Sequence, residues 1–468
     1  MEKIKIGFAP TRRKIFSAPD AVKYADLIRN QLTELGIDFV DIQEINEDGL
    51  LYDDEGTRMV GEKFISEKVD GLFIPHCNFG TEYECAKLAQ ELNVPVLLWG
   101  PRDERPESDG SRLRDSQCGL FATGKVLRRF QVPFTYMNNC RIEDPEFERG
   151  IKDFLKVCNV VKVFRQTKIL QIGPRPFDFW SVMVNEGELL EKFNIQLAPV
   201  SLGELYKEIN KVREEMASKV TEVINFLREN TVVSITDEQL ERISSLKIAL
   251  SNLGDQYGCN AGVLQCWDDF QEELGITPYA AEAILQDEGF PVLCETDIHG
   301  AITTLLLDAA SGGEKKSMFA DFTVRHPDNE NGELLQHLGV FPFSTADGKP
   351  ELIPTHFVFD YPGSVGMEAK KGELTLCRFD GDNGEYSMLL GNAKGIEGPY
   401  NQGSYLWMEV DNWKRLESKL VYGPYIHHCS AIHGDVVPIL YEACKYIGVT
   451  PDFYDPIEGD VKAYLRGE

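Results

Sequence analysis

An α/β fold is predicted for this chain of 468 residues: two Rossmann-like βαβ domains followed by a β-rich carboxyl-terminal domain, an antiparallel sheet or barrel, with a closing helix. Three observations predict it. Short apolar β-type runs alternate with helical segments through the first third, a second α/β unit begins near Val161, and after about Asn331 the texture changes to short β-rich runs punctuated by Gly, Pro, Asp and Asn. The domains expected are 1–160, 161–330 and 331–468. A chain of this length exceeds one ordinary core, and the length prior gives roughly three.

Taken in order, Lys3 to Phe8 reads as a strand, Ala18 to Leu35 as a helix and Phe39 to Ile42 as a strand. A helix from about Thr57 to Lys68 precedes the strand Gly71 to Pro75, and the helix Glu82 to Leu92 leads into the strand Pro95 to Trp99. Ligands in parallel sheets sit beyond the carboxyl ends of the strands, where PTRR (Pro10 to Arg13), PHCNFGTE (Pro75 to Glu82) and WGPRDERP (Trp99 to Pro106) fall. None of these turns carries a GxGxxG fingerprint, which disfavours a dinucleotide role. The second unit opens with the strand Lys168 to Gly173 and a loop holding Arg175; Leu202 to Asn230 and Asp237 to Leu253 read as solvated covering helices. THFVFDY, GELTLCRFD, EYSMLLGNA and SYLWMEV supply the β-rich region, and a final helix spans about Val436 to Tyr446.

Composition narrows the function. Hydrophobic residues make up 43% and aromatics 10%, as in a folded soluble protein. The 48 lysines and arginines against 76 acids leave a net charge of −28, which argues against nucleic-acid binding because a phosphate footprint needs a basic surface. No secretory h-region opens the chain and no apolar run suits a membrane span, so a cytoplasmic location without membrane contact is expected. Eleven scattered cysteines without a CxxC pair read as reduced thiols.

The chemistry is expected in GFPVLCETDIHGAITTLLLDAASGGEKKSMFAD, Gly289 to Asp321, where Glu295 and Asp321 end two apolar runs. A carboxylate in apolar surroundings needs a cation, a metal ion or a proton-transfer role. With His337 and His428 the pair would make a mixed oxygen and nitrogen site suited to Mn²⁺, Co²⁺ or Mg²⁺. Spacing alone leaves each of the four residues an ordinary structural alternative.

GVLQCWDDF, ILQDEGFPVLCETDIHGAITTLLLDAASG and MFADF resemble the L-fucose isomerase and L-arabinose isomerase superfamily; PTRR, PHCNFGTE, ERP (Glu104 to Pro106), GPRPFDFWSVMVNE and GELTLCRFD extend the likeness along the chain. The resemblance implies Glu295, Asp321 and His428 as ligands of a divalent metal, with His337 where the arabinose branch has a further histidine. It implies aldose–ketose isomerisation through an enediol, with Glu295 as base and Asp321 as its partner. Arg12 or Arg13 is implied as a sugar contact, and Asn78, Arg175, Trp267 and His427 are further substrate-binding candidates. Asp435 is a possible acceptor orienting His428, or a cap of the last helix. The substrate implied is a pentose or a deoxy- or 6-substituted hexose, and the assembly a homo-oligomer, trimer or hexamer, with the site near a subunit interface. The run Arg12-Arg13-Lys14 raises an anionic 6-sulfo or 6-phospho sugar as an alternative. From other classes come a non-catalytic sugar-binding protein and a glycoside hydrolase.

Overall fold

A computed structural model describes residues 3–467. The chain divides into two compact units. One runs to Lys162 and regains Pro438–Gly448 and the segment from Gly459; the other holds Val163–Val437 and Val449–Glu458.

The first unit is built on a parallel sheet of β1 (Lys5–Phe8), β2 (Asp38–Val40), β3 (Gly71–Pro75), β4 (Val96–Trp99) and β5 (Thr135–Tyr136), in the order β2-β1-β3-β4-β5. Every residue of β3 and β4 is buried, as expected of strands covered on both faces. Helix Ala18–Glu34 buries Ala21, Ala25, Ile28 and Leu32 at helical spacing, and the Ser17 side chain caps it by accepting from Asp20 N. A Cβ on Gly7 would lie 2.5 Å from the Phe64 ring, so glycine lets β1 and helix Asp54–Glu67 approach closely. The loops after β1, β2 and β3 interlock: Thr11 Oγ1 donates to Leu51 O (2.8 Å) and lies 3.0 Å from Thr81 Oγ1.

His76, wholly buried in this interlock, has its Nδ1 2.7 Å from Phe79 O, and Gly80 (φ +72°) leaves the space, since a Cβ there would sit 2.3 Å from Nδ1. Burial pushes His76 down from 6.5 to about 4, against the opposing effect of the Phe79 carbonyl. Its folded value is depressed, so its contribution to stability is complete above pH 6.5 and is lost as pH falls through about 4. Denaturant melts across that window should show about 3 kcal/mol of acid sensitivity that His76→Gln removes; an unchanged pH slope in the variant would contradict this.

Helix Val437–Ile447, close to its expected bounds, joins the first unit through Thr135 Oγ1 donating to Glu442 (2.7 Å) and Tyr446 OH donating to Val96 O (3.0 Å). It does not close the chain, because strand Thr450–Asp455 and helix Glu458–Arg466 follow.

The second unit contains a parallel sheet ordered β10-β9-β6-β7, from β6 (Lys168–Ile172), β7 (Gln196–Val200), β9 (Ala261–Leu264) and β10 (Val292–Leu293); β8 (Val232–Val233) pairs elsewhere. Its other sheet contains β11 (Met318–Arg325), β12 (Gly332–His337), β13 (Glu351–Ile353), β14 (Ser364–Glu368), β15 (Glu373–Asp382), β16 (Glu385–Gly395), β17 (Ser404–Glu409), β18 (His428–His433) and β19 (Thr450–Asp455). Within it, β16-β15-β18-β11-β12-β17 runs antiparallel and closes through β16–β17 pairing into a six-stranded barrel, which leaves no open edge in the ring. The expected boundary at 330 therefore falls inside one compact unit: β11, before it, pairs with β12 and β18, after it.

Two expected elements differ. The Leu202 to Asn230 helix is broken at Met216 (φ −124°, ψ 31°) into Leu202–Glu215 and Ala217–Asn230. THFVFDY forms no strand; His356 and Phe359 exchange backbone hydrogen bonds of 3.0 and 3.1 Å in a tight loop, and the Phe359 ring lies 6.0 Å from Trp267. All eleven cysteines are free thiols. Among the described residues, no helix is long and apolar enough to cross a membrane.

Candidate metal centre and active site

Glu295 follows β10 in the short turn Cys294–Thr296, at the carboxyl end of the parallel sheet. Both Glu295 (φ 62°) and Thr296 (φ 56°) are left-handed, a conformation costing about 1–3 kcal/mol per non-glycine residue unless the surroundings impose it. Here they do: Glu295 N donates to Cys266 Sγ (3.2 Å), Thr296 Oγ1 to Pro174 O (3.2 Å), and Asp297 caps helix Ile298–Ala310 by accepting from Gly300 N (2.9 Å). The barrel supplies the facing residues. Asp321 of β11 is the register partner of His428 of β18, so their side chains lie next to each other.

The predicted residues of the second unit converge on His428 Nε2, which lies 3.0 Å from Glu295 Oε2 and 3.5 Å from Asp321 Oδ1. His337 joins them, its Nδ1 3.9 Å from Asp321 Oδ2 and its Nε2 2.9 Å from Cys294 Sγ. His427, expected only as a sugar contact, is nearer the centre than that role required: ligand atoms of Asp321, His427 and His428 all lie within 4.8 Å of one another. Glu295 Oε2, Asp321 Oδ1, His428 Nε2 and His337 Nδ1 are buried without a hydrogen-bond partner. Orphaned atoms of this kind grouped around His428 and Asp321 would be costly, and two carboxylates with imidazoles are the donor set of a divalent cation. The residues fit such an ion.

Behind the centre lies an ionic relay that the sequence reading missed. His428 Nδ1 is 2.8 Å from Asp297 Oδ2; Asp297 accepts from Arg378 Nη1 (2.5 Å) and Nη2 (3.1 Å); Arg378 Nε donates to Asp380 Oδ2 (2.9 Å), and Asp380 Oδ1 meets His299 Nδ1 at 2.8 Å. The orienting acceptor of His428 is thus Asp297. Asp435 instead accepts from Val437 N (3.0 Å) at the start of helix Val437–Ile447. Two signals existed: Asp297 ends the CETD segment, and Arg378 and Asp380 are two apart on β15, hence on one face.

Electrostatics follow the geometry. Burial works against protonation of His428, but the hydrogen bond to Asp297 and the neighbouring Glu295 and Asp321 carboxylates outweigh it and push it up to about 10. Burial likewise opposes ionisation of Asp297, yet Arg378 and His428 hold it well below the usual carboxylate range. Glu295 is lowered despite its burial, through His428 first and the charges of His337 and His427 after it. Glu282, a buried acid absent from the expectations, has both oxygens unpartnered, and burial together with the Glu295 charge raises it well above the ordinary range.

The rim is aromatic. Phe179 stacks on His428 (centroids 5.6 Å, 27°) and meets Trp267 edge-on at 5.4 Å; Phe359 lies 6.0 Å from Trp267. Arg175 donates to Pro176 O (3.0 Å) and Phe177 O (2.9 Å), with its guanidinium 5.2 Å from the Trp180 ring centre.

The other candidates belong to the first unit. Arg12 pairs with Asp48 (2.5 Å) over Tyr52, and Arg13 with Glu82 (2.6 Å) over Phe79. Asn78 accepts from Arg13 N (2.7 Å) and Gly80 N (3.1 Å) and donates to Arg13 O and Ser17 O, so its amide shapes the loop.

Residues 7–165 match the N-terminal domain of fucose/sulfoquinovose isomerases. Sulfoquinovose isomerases of Priestia aryabhattai and Priestia megaterium are each 25% identical over 393 residues, covering 83% of this chain and 86% of theirs. That of Alkalicoccus urumqiensis is 24% identical over 339 residues, 72% of this chain and 74% of its own. A solved periplasmic solute-binding protein from Actinobacillus succinogenes with bound D-allose is 13% identical, covering 66% of this chain and 92% of its own, with a TM-score of 0.17.

Proposed function

We propose, from the premise that this chain belongs to the fucose isomerase-like superfamily and is an aldose–ketose isomerase, that it interconverts a hexose carrying a sulfonate at C6 with its ketose, using a divalent cation. The observation that carries the cation is the meeting of three unpartnered atoms, Glu295 Oε2, Asp321 Oδ1 and His428 Nε2, with His337 and His427 beside them. The sulfonate is supported by relatives that act on sulfoquinovose and cover more than four-fifths of this chain.

Glu295, Asp321 and His428 would hold the ion, Mn²⁺ first and Co²⁺ or Mg²⁺ as alternatives. When bound, it supplies polarisation of the sugar carbonyl and stabilisation of negative charge on the neighbouring oxygens. The Glu295 carboxylate takes the proton from one carbon and returns it to its neighbour, and Asp321 assists the transfer between the oxygens. Asp297 holds the His428 ring so that Nε2 faces the two carboxylates. Phe179 and Trp267 wall the centre and limit the access of water.

Exhaustive dialysis against EDTA is expected to abolish conversion of 6-sulfo-hexose, and Mn²⁺ to restore it; turnover persisting in metal-free protein would refute the cation. Since His428 of the metal-free protein stays protonated up to about pH 10, binding the ion must expel that proton. Mn²⁺ affinity should therefore rise by up to about tenfold per pH unit below that value, with calorimetry in buffers of different ionisation heat showing a proton released.

A further inference from the structure

We propose that the first unit carries a binding site for the three-oxygen anionic head of a sulfonated or phosphorylated small molecule, in a groove of about 630 Å³ beyond the carboxyl end of β4. Arg102, Arg105 and Arg141 line it together with Tyr24, Leu27 and Glu143. The three arginines are exposed, and among the described residues none of their guanidinium groups has an ion pair or hydrogen bond. In a chain with a net charge of −28, three arginines with unpaired guanidinium groups lining one groove stand out from their surroundings.

The nearby acids explain why these cations stay free. Asp103 accepts from Ser116 N (3.0 Å) and Gln117 N (3.4 Å) at the start of helix Ser116–Arg129 and lies 3.5 Å from Arg114. Glu104 is taken by Arg114 Nε (2.9 Å) and by Tyr24 OH. Glu143 is the one lining carboxylate without such a commitment, and it would select against a second negative group on that side of the ligand.

The groove is also held in shape. Arg114, 1% exposed, donates to Pro101 O (3.4 Å) and Arg102 O (2.8 Å) and lies 3.7 Å over the Tyr24 ring, so a buried cation pins the Pro101 to Arg105 loop. Arg102 N donates to Cys140 O (2.9 Å) and Asn139 Nδ2 to Gly100 O (2.7 Å), which ties that loop to the segment bearing Arg141. Two chain segments thus present guanidinium groups to one volume, where planar forks suit sulfonate or phosphate oxygens. Beyond strand carboxyl ends is where parallel sheets take ligands.

The site stands apart from the isomerase reading, so the test reads binding directly. Ligand-observed NMR at low ionic strength should give saturable binding of methanesulfonate and of inorganic phosphate to the full chain. Arg102→Ala/Arg105→Ala/Arg141→Ala should weaken both by at least about tenfold, the loss of two or three charge-assisted hydrogen bonds. If that variant does not fold, Arg102→Lys/Arg105→Lys/Arg141→Lys keeps the charge and should still lose several-fold through the missing fork. A tenfold higher KM for 6-sulfo-hexose with kcat retained assigns the head group to the substrate. Weakened anion binding with an unaltered KM assigns it to a separate phosphorylated or sulfonated effector. Wild-type protein that binds neither anion, or folded variants that bind both as wild type does, would overturn the site, whatever the sugar assays show.

Discussion

Glu295→Gln should lower kcat for sugar interconversion by about 10³- to 10⁴-fold, the range of a lost general base. The substitution keeps shape and volume but removes the basicity and the charge of the carboxylate that the proton transfer needs. It also removes one of the carboxylates facing His428 Nε2. The measurement is exchange of the substrate C–H hydrogen with solvent, which reports proton abstraction even where product release is slow. A variant that retains more than about a tenth of wild-type exchange would exclude Glu295 as the base. His428 keeps the Asp297 carboxylate at 2.8 Å when Glu295 is neutralised, so no buried cation is left without a counter-charge and little change in stability is expected. Lost activity with a retained melting temperature distinguishes chemistry from misfolding.

Asp297→Asn should destabilise the protein by about 3–5 kcal/mol, because it breaks a wholly buried ion pair on one side only. Arg378 is 1% exposed and would keep Asp380 as its sole carboxylate partner, while the acceptor at His428 Nδ1 would lose its charge. Mn²⁺ affinity should fall by about 10- to 100-fold, the usual effect of removing a group that orients a ligating histidine. Asp435→Ala is the control: it loses a helix-start hydrogen bond worth about 1 kcal/mol and should leave metal affinity as it was. Equal effects of the two substitutions on Mn²⁺ binding, read by titration, would refute the role given to Asp297.

The βαβ alternation was legible because parallel strands covered on both faces read as continuous apolar runs between amphipathic helices. Gly71–Pro75 is the plainest case, matching its expected bounds throughout. THFVFDY failed for the converse reason: aromatic and β-branched residues in a loop imitate strand composition, and only the reciprocal bonds between His356 and Phe359 reveal the loop. Among the candidate site residues, Glu295 and Asp321 drew attention as acids ending apolar runs, and the resemblance to the sugar isomerases singled them out together with His428 and His337. Asp297, Arg378 and Glu282 could not be named, since a buried ion relay or an unpartnered acid looks like any other charged residue until burial is known.

By itself, then, the sequence determined most element types, the acidic stretch Gly289 to Asp321 and the resemblance to the fucose isomerase-like superfamily, all of which depend on local pattern and residue chemistry. Tertiary structure alone decided that β11 and β18 would set Asp321 beside His428, that a left-handed turn would bring Glu295 to the same nitrogen, and that Asp297 would orient it. The physical reason is range. Propensity and periodicity act over a few residues, whereas Glu295 and His428 are brought together by barrel register and by the packing of a strand end from a different sheet.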